Sequence, residues 1–304
     1  MNAASIGLTQ HRTHLPTVQR HTCQVFTCDV TLASHGPPAT PFTEVQRRLR
    51  ALDERYSRFR ADSELSQLNA AAGHWHDISE DLHAMLRHAL VVAVASAGLV
   101  NVAMLPRLLA AGYVRSWATG TPPAAPPAPP MSVPPLASVL ELRGHTARLA
   151  PGSSVDVGAL AKGRWADDVV TWLGPNSAAS IGGDVTCRGP GPDGDGWPVE
   201  LPNSEVLLVR DGGIATSGTG KRRWGTDGHH LIDPRTGQPA TSDITQTTVL
   251  ADTGACADWV ASAVVIGGSP AADRLTSRTD VHHMWLSRVD NQPTGERHDE
   301  PHQP

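Results

Sequence analysis

Gly228-His229-His230-Leu231-Ile232-Asp233-Pro234-Arg235-Thr236-Gly237-Gln238-Pro239 is the stretch around which the rest of the 304-residue chain can be ordered. An imidazole pair and a short apolar run stand directly before a Pro-Arg-Thr-Gly turn. Pro234 presets φ and Gly237 tolerates a positive one, so the turn is sharp. Leu231 and Ile232 read as a brief buried strand, which fixes where His230 and Asp233 point. A histidine on a rigid turn suits acid–base chemistry near neutral pH, although a lone histidine is more often a satisfied structural residue.

On the N-terminal side, strands are expected at 197–201, 205–210 and 213–216, the last running into Ser217-Gly218-Thr219-Gly220. On the C-terminal side follow a strand at 245–250, a helix over 256–266 and a strand near 283–287. Earlier in the chain, 24–32 reads as a first strand and 44–60 as a helix with Val45, Leu49, Leu52 and Tyr56 on one face. Asp62 or Ser63 caps a short helix carrying Leu65 and Leu68, and Ser79 caps a longer one from Leu82 to about Ala97, stopped by Gly98. Residues 99–106 form a buried loop or helix start, and 139–143 with 146–149 a hairpin joined by Gly144-His145. A helix carrying Trp165, Val169, Val170 and Trp172 opens at 156–163, and a strand at 178–181 breaks at Gly182-Gly183-Asp184. Strands and helices mix without a repeating βαβ period, which predicts an α+β fold.

A loose lead-in over 1–23, one domain over 24–289 and a polar tail over 290–304 complete the expected organisation. Prolines crowd 120–135, which cannot be an ordinary helix or central strand and reads as an exposed loop within the domain. The net charge of −5 leaves no basic footprint for nucleic acid. Cys23, Cys28, Cys187 and Cys256 form no CxxC pair and no zinc spacing, so free thiols in a reducing compartment are expected. Residues 1–24 hold neither an apolar core of signal-peptide length nor a lipid-attachment cysteine, and 89–100 is too short to span a bilayer. The expected location is the cytoplasm.

Four further segments bear chemistry. Asp156-Val157-Gly158-Ala159-Leu160-Ala161-Lys162-Gly163 is a glycine-bearing helix entry whose free N–H groups and lysine can meet an anion. Taken alone, a capped helix start with a solvated lysine accounts for it better, and the P-loop spacing is absent. Asp258 and Ser262, four apart on one helix face, offer the oxygens that a hard cation such as Mg²⁺ takes. Such a pair is usually a surface feature, but Trp259, Val260 and Val264 make this helix apolar, so a buried Asp258 needs a partner. Gly182-Gly183-Asp184 and Thr216-Ser217-Gly218 either admit a ligand's close approach or are simple turns; singly, the turn is favoured.

Together and in this order, these pieces resemble the ApbE family of FAD:protein FMN transferases, over roughly 24–267. The resemblance rests on Tyr56 to Asn69, Asp156 to Gly163, Ile181 to Asp184, Ala215 to Gly218, His230 to Gly237, and Ala257-Asp258 with Ser262. It implies a T-fold-like mixed sheet packed with helices. The implied reaction is Mg²⁺-dependent transfer of FMN from FAD to a threonine of an acceptor flavoprotein, forming a phosphoester and releasing AMP. On the family's pattern, His230 is the general base. Asp258, Ser262 and the carbonyl of Ala159 are metal ligands. Phe26, Trp75, Leu99, Val100, Asn101, Asp156, Lys162 and Ile232 contact FAD.

Three departures stand out. The family's Met-Gly-Thr falls on Phe26-Thr27-Cys28, its Ala-Phe-Asp-Pro on Leu99-Val100-Asn101-Val102, and Ser262 replaces a commoner threonine. An amide at Asn101 hydrogen-bonds but carries no charge. Many family members are exported lipoproteins, so this chain is expected to have a cytoplasmic target or a different start. Other readings are an FAD pyrophosphatase giving FMN and AMP, or an FAD-binding protein with weakened catalysis. A protein that docks through its proline-rich segment is a fourth, but that reading explains none of the six motifs.

Overall fold

The computed structural model describes residues 5–6, 17–116, 129–224 and 228–289. The polar tail, residues 120–128 of the proline-rich segment and most of 1–16 lie outside the described residues. The fold is α+β, as expected. One seven-stranded sheet runs in the order Val281–Arg288, Ile244–Ala251, Gly212–Gly218, Asp184–Arg188, Ser177–Ile181, Cys28–His35, Val18–Val25. Every described pairing in it is antiparallel, which makes the sheet antiparallel where a mixed one was expected. Val18–Val25 with Cys28–His35 and Ser177–Ile181 with Asp184–Arg188 are hairpins, while helices fill the connections from Cys28–His35 to Ser177–Ile181 and from Ile244–Ala251 to Val281–Arg288.

The first strand is a correction. Residues 24–32 are not one strand; Val18–Val25 and Cys28–His35 pair as a hairpin around Phe26-Thr27. Residues 18–23 therefore belong to the sheet and not to a loose lead-in. Both turn residues take left-handed φ, 56° and 60°, as a two-residue primed turn requires. Such turns normally announce themselves by Asn-Gly or Asp-Gly, and this one carries neither. The Phe26 N–H donates to the Asp53 carboxylate, which anchors the turn to the Phe42–Tyr56 helix.

The core lies between the sheet and two stacked helices. The Gly254–Gly267 helix packs on the Gly212–Gly218 and Ile244–Ala251 strands and, on its other side, on the Gly158–Leu173 helix. It has no polar face, because nearly all its side chains are buried. Its start is satisfied twice over: Thr253 accepts from the Cys256 N–H, and Asp167 accepts from the Gly254 and Ala255 N–H groups. The expected Ser63 and Ser79 caps are present, accepting from Ser66 and Leu82.

The rest follows with small changes of boundary. The hairpin is Leu140–Arg143 with Thr146–Leu149, Val139 closing a short helix before it. The strand in the opening stretch is Ile232–Asp233, paired with Gln238–Pro239. The described end of the proline-rich segment is tied down: the Met131 and Val133 N–H groups donate to the carbonyls of Thr236 and Pro234. No helix among the described residues is long and apolar enough to cross a membrane, and the four cysteines are free.

Candidate functional site

The opening stretch divides its two histidines by environment. His229 is structural: its Nε2 meets the Ala240 carbonyl at 3.1 Å and its Nδ1 accepts from the Leu231 N–H at 3.3 Å. His230, one residue on, lines a cavity of about 420 Å³. Its ring donates to the Lys221 backbone, while its Nδ1 is buried without a partner. That pattern leaves a lone pair on Nδ1 in the neutral ring. Burial first, then the charge of Arg222, holds the imidazole pKa well below its ordinary value. Asp233 shapes the turn, accepting from the Arg235 backbone and side chain and from the Thr236 and Gly237 N–H groups.

In the same cavity the N-terminal half of the Gly158–Leu173 helix meets the Gly254–Gly267 helix. Lys162 Nζ donates to Asp184 and lies 3.4 Å from Asp258 Oδ1. Asp258, only 2% exposed, also accepts from the Gly163 N–H at 3.2 Å. A regular helix would direct that N–H at the Ala159 carbonyl, which therefore shares or loses its helical donor. Ser262 Oγ lies 2.9 Å from Ser217 Oγ, at the end of the neighbouring strand. Burial, and next the Asp184 charge, raise the Asp258 carboxyl well above the usual range despite Lys162. Burial opposes the Lys162 charge, but Asp184 and Asp258 outweigh it and its pKa is raised.

This is a buried oxygen-rich pocket with more carboxylate than one ammonium neutralises. Asp258, Ser262 and the Ala159 carbonyl supply hard oxygen donors of three kinds, which suits a Mg²⁺-like cation. The residues present fit the ion.

Part of the lining is aromatic. Phe26 stacks on Trp165 with centroids 4.1 Å apart, and Tyr56 leans on the same indole. Leu99, Val100, Asn101, Asp156 and Ile232 line the same cavity. The Asn101 amide is already committed, accepting from the Ala103 N–H and donating to the Pro134 carbonyl. Asp156 is held by Arg58 at 2.8 Å and accepts from the Gly158 N–H. Trp75 is the one expected contact residue that the fold does not bring here. It sits on the surface under the guanidinium groups of Arg143 and Arg148.

Sequence reasoning missed what the Tyr56–Asn69 segment does. Asn69 bonds both the N–H and the carbonyl of Val155, and Arg58 clamps Asp156 while lying between Phe59 and Tyr113. The segment thus frames the helix entry from across the chain. Lys221 and Arg222 also line the cavity and were not foreseen; the only signal was a run of three basic residues before Trp224.

Comparisons with known proteins agree on one family. The sequence model of the ApbE family matches residues 25–285. The FAD:protein FMN transferase of Treponema pallidum is 30% identical over 284 residues, covering 79% of this chain and 76% of that one. The Vibrio cholerae protein of the same name is 26% identical over 277 residues, covering 82% and 80%. Among solved structures, the apo form of Pseudomonas stutzeri flavinyl transferase ApbE superposes with a TM-score of 0.75 at 19% identity, covering 92% of this chain and 98% of that one. The flavin transferase ApbE from Vibrio cholerae gives 0.69 at 22% identity, covering 89% and 97%. At these identities the structural likeness speaks for the fold alone.

Proposed function

The chain belongs to the ApbE family, and from that premise we propose that it transfers FMN from FAD to a threonine of an acceptor flavoprotein, with Mg²⁺ required and AMP released. The observation that carries the reading is one cavity holding both a histidine with a free ring lone pair and a buried Lys162–Asp184–Asp258 cluster.

In this reaction the threonine Oγ forms a bond to the FMN-side phosphorus. The bond from that phosphorus to the bridging oxygen breaks, and AMP leaves with the oxygen. The threonine proton passes to Nδ1 of His230, whose depressed pKa keeps the ring neutral and able to accept it. Donation from the other ring nitrogen to the Lys221 backbone orients the base. Asp258, Ser262 and the Ala159 carbonyl would hold Mg²⁺, which when bound offsets charge on the diphosphate. Lys162 adds a second cation at the same place, and the Phe26–Trp165 wall gives an aromatic surface for the flavin.

Phe26, Leu99, Val100, Asn101, Asp156, Lys162 and Ile232 are the residues we assign to FAD. The weakened-binder reading loses ground at Thr27, which already adopts the left-handed φ that a glycine there would supply. The test is incubation with FAD, Mg²⁺ and a protein bearing the family's threonine acceptor motif. A covalently fluorescent acceptor with AMP in equal amount is expected. FMN released to water instead would make the protein a pyrophosphatase.

A further inference from the structure

The basic residues of the cavity are unequally matched. Arg58 pairs with Asp156, Arg60 with Asp62, and Lys162 with Asp184 and Asp258. Lys221 and Arg222 line the same cavity, yet neither has an ion-pair partner among the described residues. Their loop is fastened at both ends. The Thr219 N–H donates to the Thr245 carbonyl, and Arg223-Trp224 pairs with Gly228-His229 directly before His230. Trp224 Nε1 donates to the Ala111 carbonyl at 2.6 Å, so the loop is also pinned from outside. Arg222 stands in left-handed backbone, φ 49°, between these anchors.

We infer that Lys221 and Arg222 form a built anion subsite that holds the diphosphate of the dinucleotide beside His230; the inference rests on the flavin-transferase reading of this cavity. Lys221 and Arg222 are neighbours on an anchored loop lining a cavity that also holds Lys162, and like charges there favour an anion that joins them. Burial first, then Arg222 and Lys162, press the Lys221 pKa below its ordinary value although Asp184 pulls the other way. A bound diphosphate supplies the opposing charge, and guanidinium and ammonium bond its oxygens in charge-assisted fashion. The subsite lies in the same cavity as His230 and Lys162. The diphosphate then meets Lys221 and Arg222 as well as Lys162, and the departing AMP phosphate keeps a cationic partner after the bridging bond breaks.

The test separates phosphate recognition from flavin recognition. Riboflavin, FMN and FAD are titrated by flavin fluorescence without divalent cation against the wild type, Arg222→Gln, Arg222→Lys and Lys221→Gln. Arg222→Gln should weaken FAD and FMN by about tenfold or more and leave riboflavin within about twofold, with Arg222→Lys partly restoring the phosphate-bearing ligands. Unchanged riboflavin affinity also shows that the variant is folded. FAD affinity unchanged in both glutamine variants, or riboflavin falling in step with FAD, would overturn the subsite. A parallel calorimetric titration with inorganic diphosphate keeps the two readings apart. Binding to the wild type that the variants lose supports the subsite even where no flavin binds, a result that would sink the flavin reading alone. Wild-type protein that binds FAD but shows the same diphosphate affinity as the variants would sink the subsite alone.

Discussion

Gly163 and Asp258 join the two helices of the site by one bond, from the backbone N–H of the first to the carboxylate of the second at 3.2 Å. A Cβ at position 163 would collide with the Gly254 carbonyl and lie 2.8 Å from the Asp258 Cβ. The helices approach more closely than a methyl group permits. Their spacing sets where Lys162 and Asp258 stand relative to each other.

Gly163→Ala should therefore destabilise the protein by about 1–3 kcal/mol through overpacking, despite the better helix propensity of alanine. Chemical denaturation measures this. An unchanged midpoint would show that the helices separate freely and that the Gly163–Asp258 bond does not set their distance.

His230→Ala should reduce FMN transfer by about 10²–10⁴-fold while FAD binding stays near the wild-type level. Rate assays beside fluorescence titration give both numbers. Transfer preserved in the variant removes the imidazole from the mechanism.

The pH dependence follows from the same residue. Its folded pKa is depressed, so the neutral base persists below the ordinary value of 6.5, and transfer should fall only well into the acid range. Stability has the matching sign: the unfolded chain binds the proton more readily, so this contribution is complete above about pH 6.5 and declines as the pH drops below it. Denaturation midpoints of wild type and His230→Asn from about pH 8 to about pH 5 should converge toward acid. Parallel curves would show that His230 titrates normally.

Mg²⁺ should raise the unfolding temperature of the wild type, because binding to the native state alone stabilises it by mass action, and Asp258→Asn should abolish that rise. Without Mg²⁺ the variant should be no less stable, since it removes a buried carboxylate beside Asp184. An equal Mg²⁺-induced rise in both proteins takes Asp258 out of the ligand set.

Thr27→Gly should stabilise the fold by about 1 kcal/mol, because a left-handed φ costs a branched residue roughly 1–2 kcal/mol and glycine almost nothing. The denaturation midpoint decides it. A lower midpoint would mean that the threonine side chain supports the hairpin.

Much of the site was legible because its residues sit in locally patterned segments. Caps at Ser63 and Ser79, the Pro234–Gly237 turn and the i,i+4 spacing of Asp258 and Ser262 are short-range signals, and each appears in the fold. Phe26-Thr27 was not legible, since a primed turn lacking glycine or asparagine depends on its sheet partners. Trp75 was misplaced for a related reason: an aromatic next to a motif does not reveal which way it points, and this one stands just before the His76–Asp77 strand. Arg58 and Asn69 escaped because their roles lie in partners dozens of residues away, and Lys221 because nothing local shows that its loop faces the cavity.

The Gly254–Gly267 helix, buried on all sides, carries Asp258 and Ser262 late in a chain whose other site residues begin at Phe26. A nascent or truncated chain ending before residue 254 lacks both the packing that closes the core and the oxygens assigned to the cation. Closing the core and placing these two oxygens are therefore a single event in the folding of the chain.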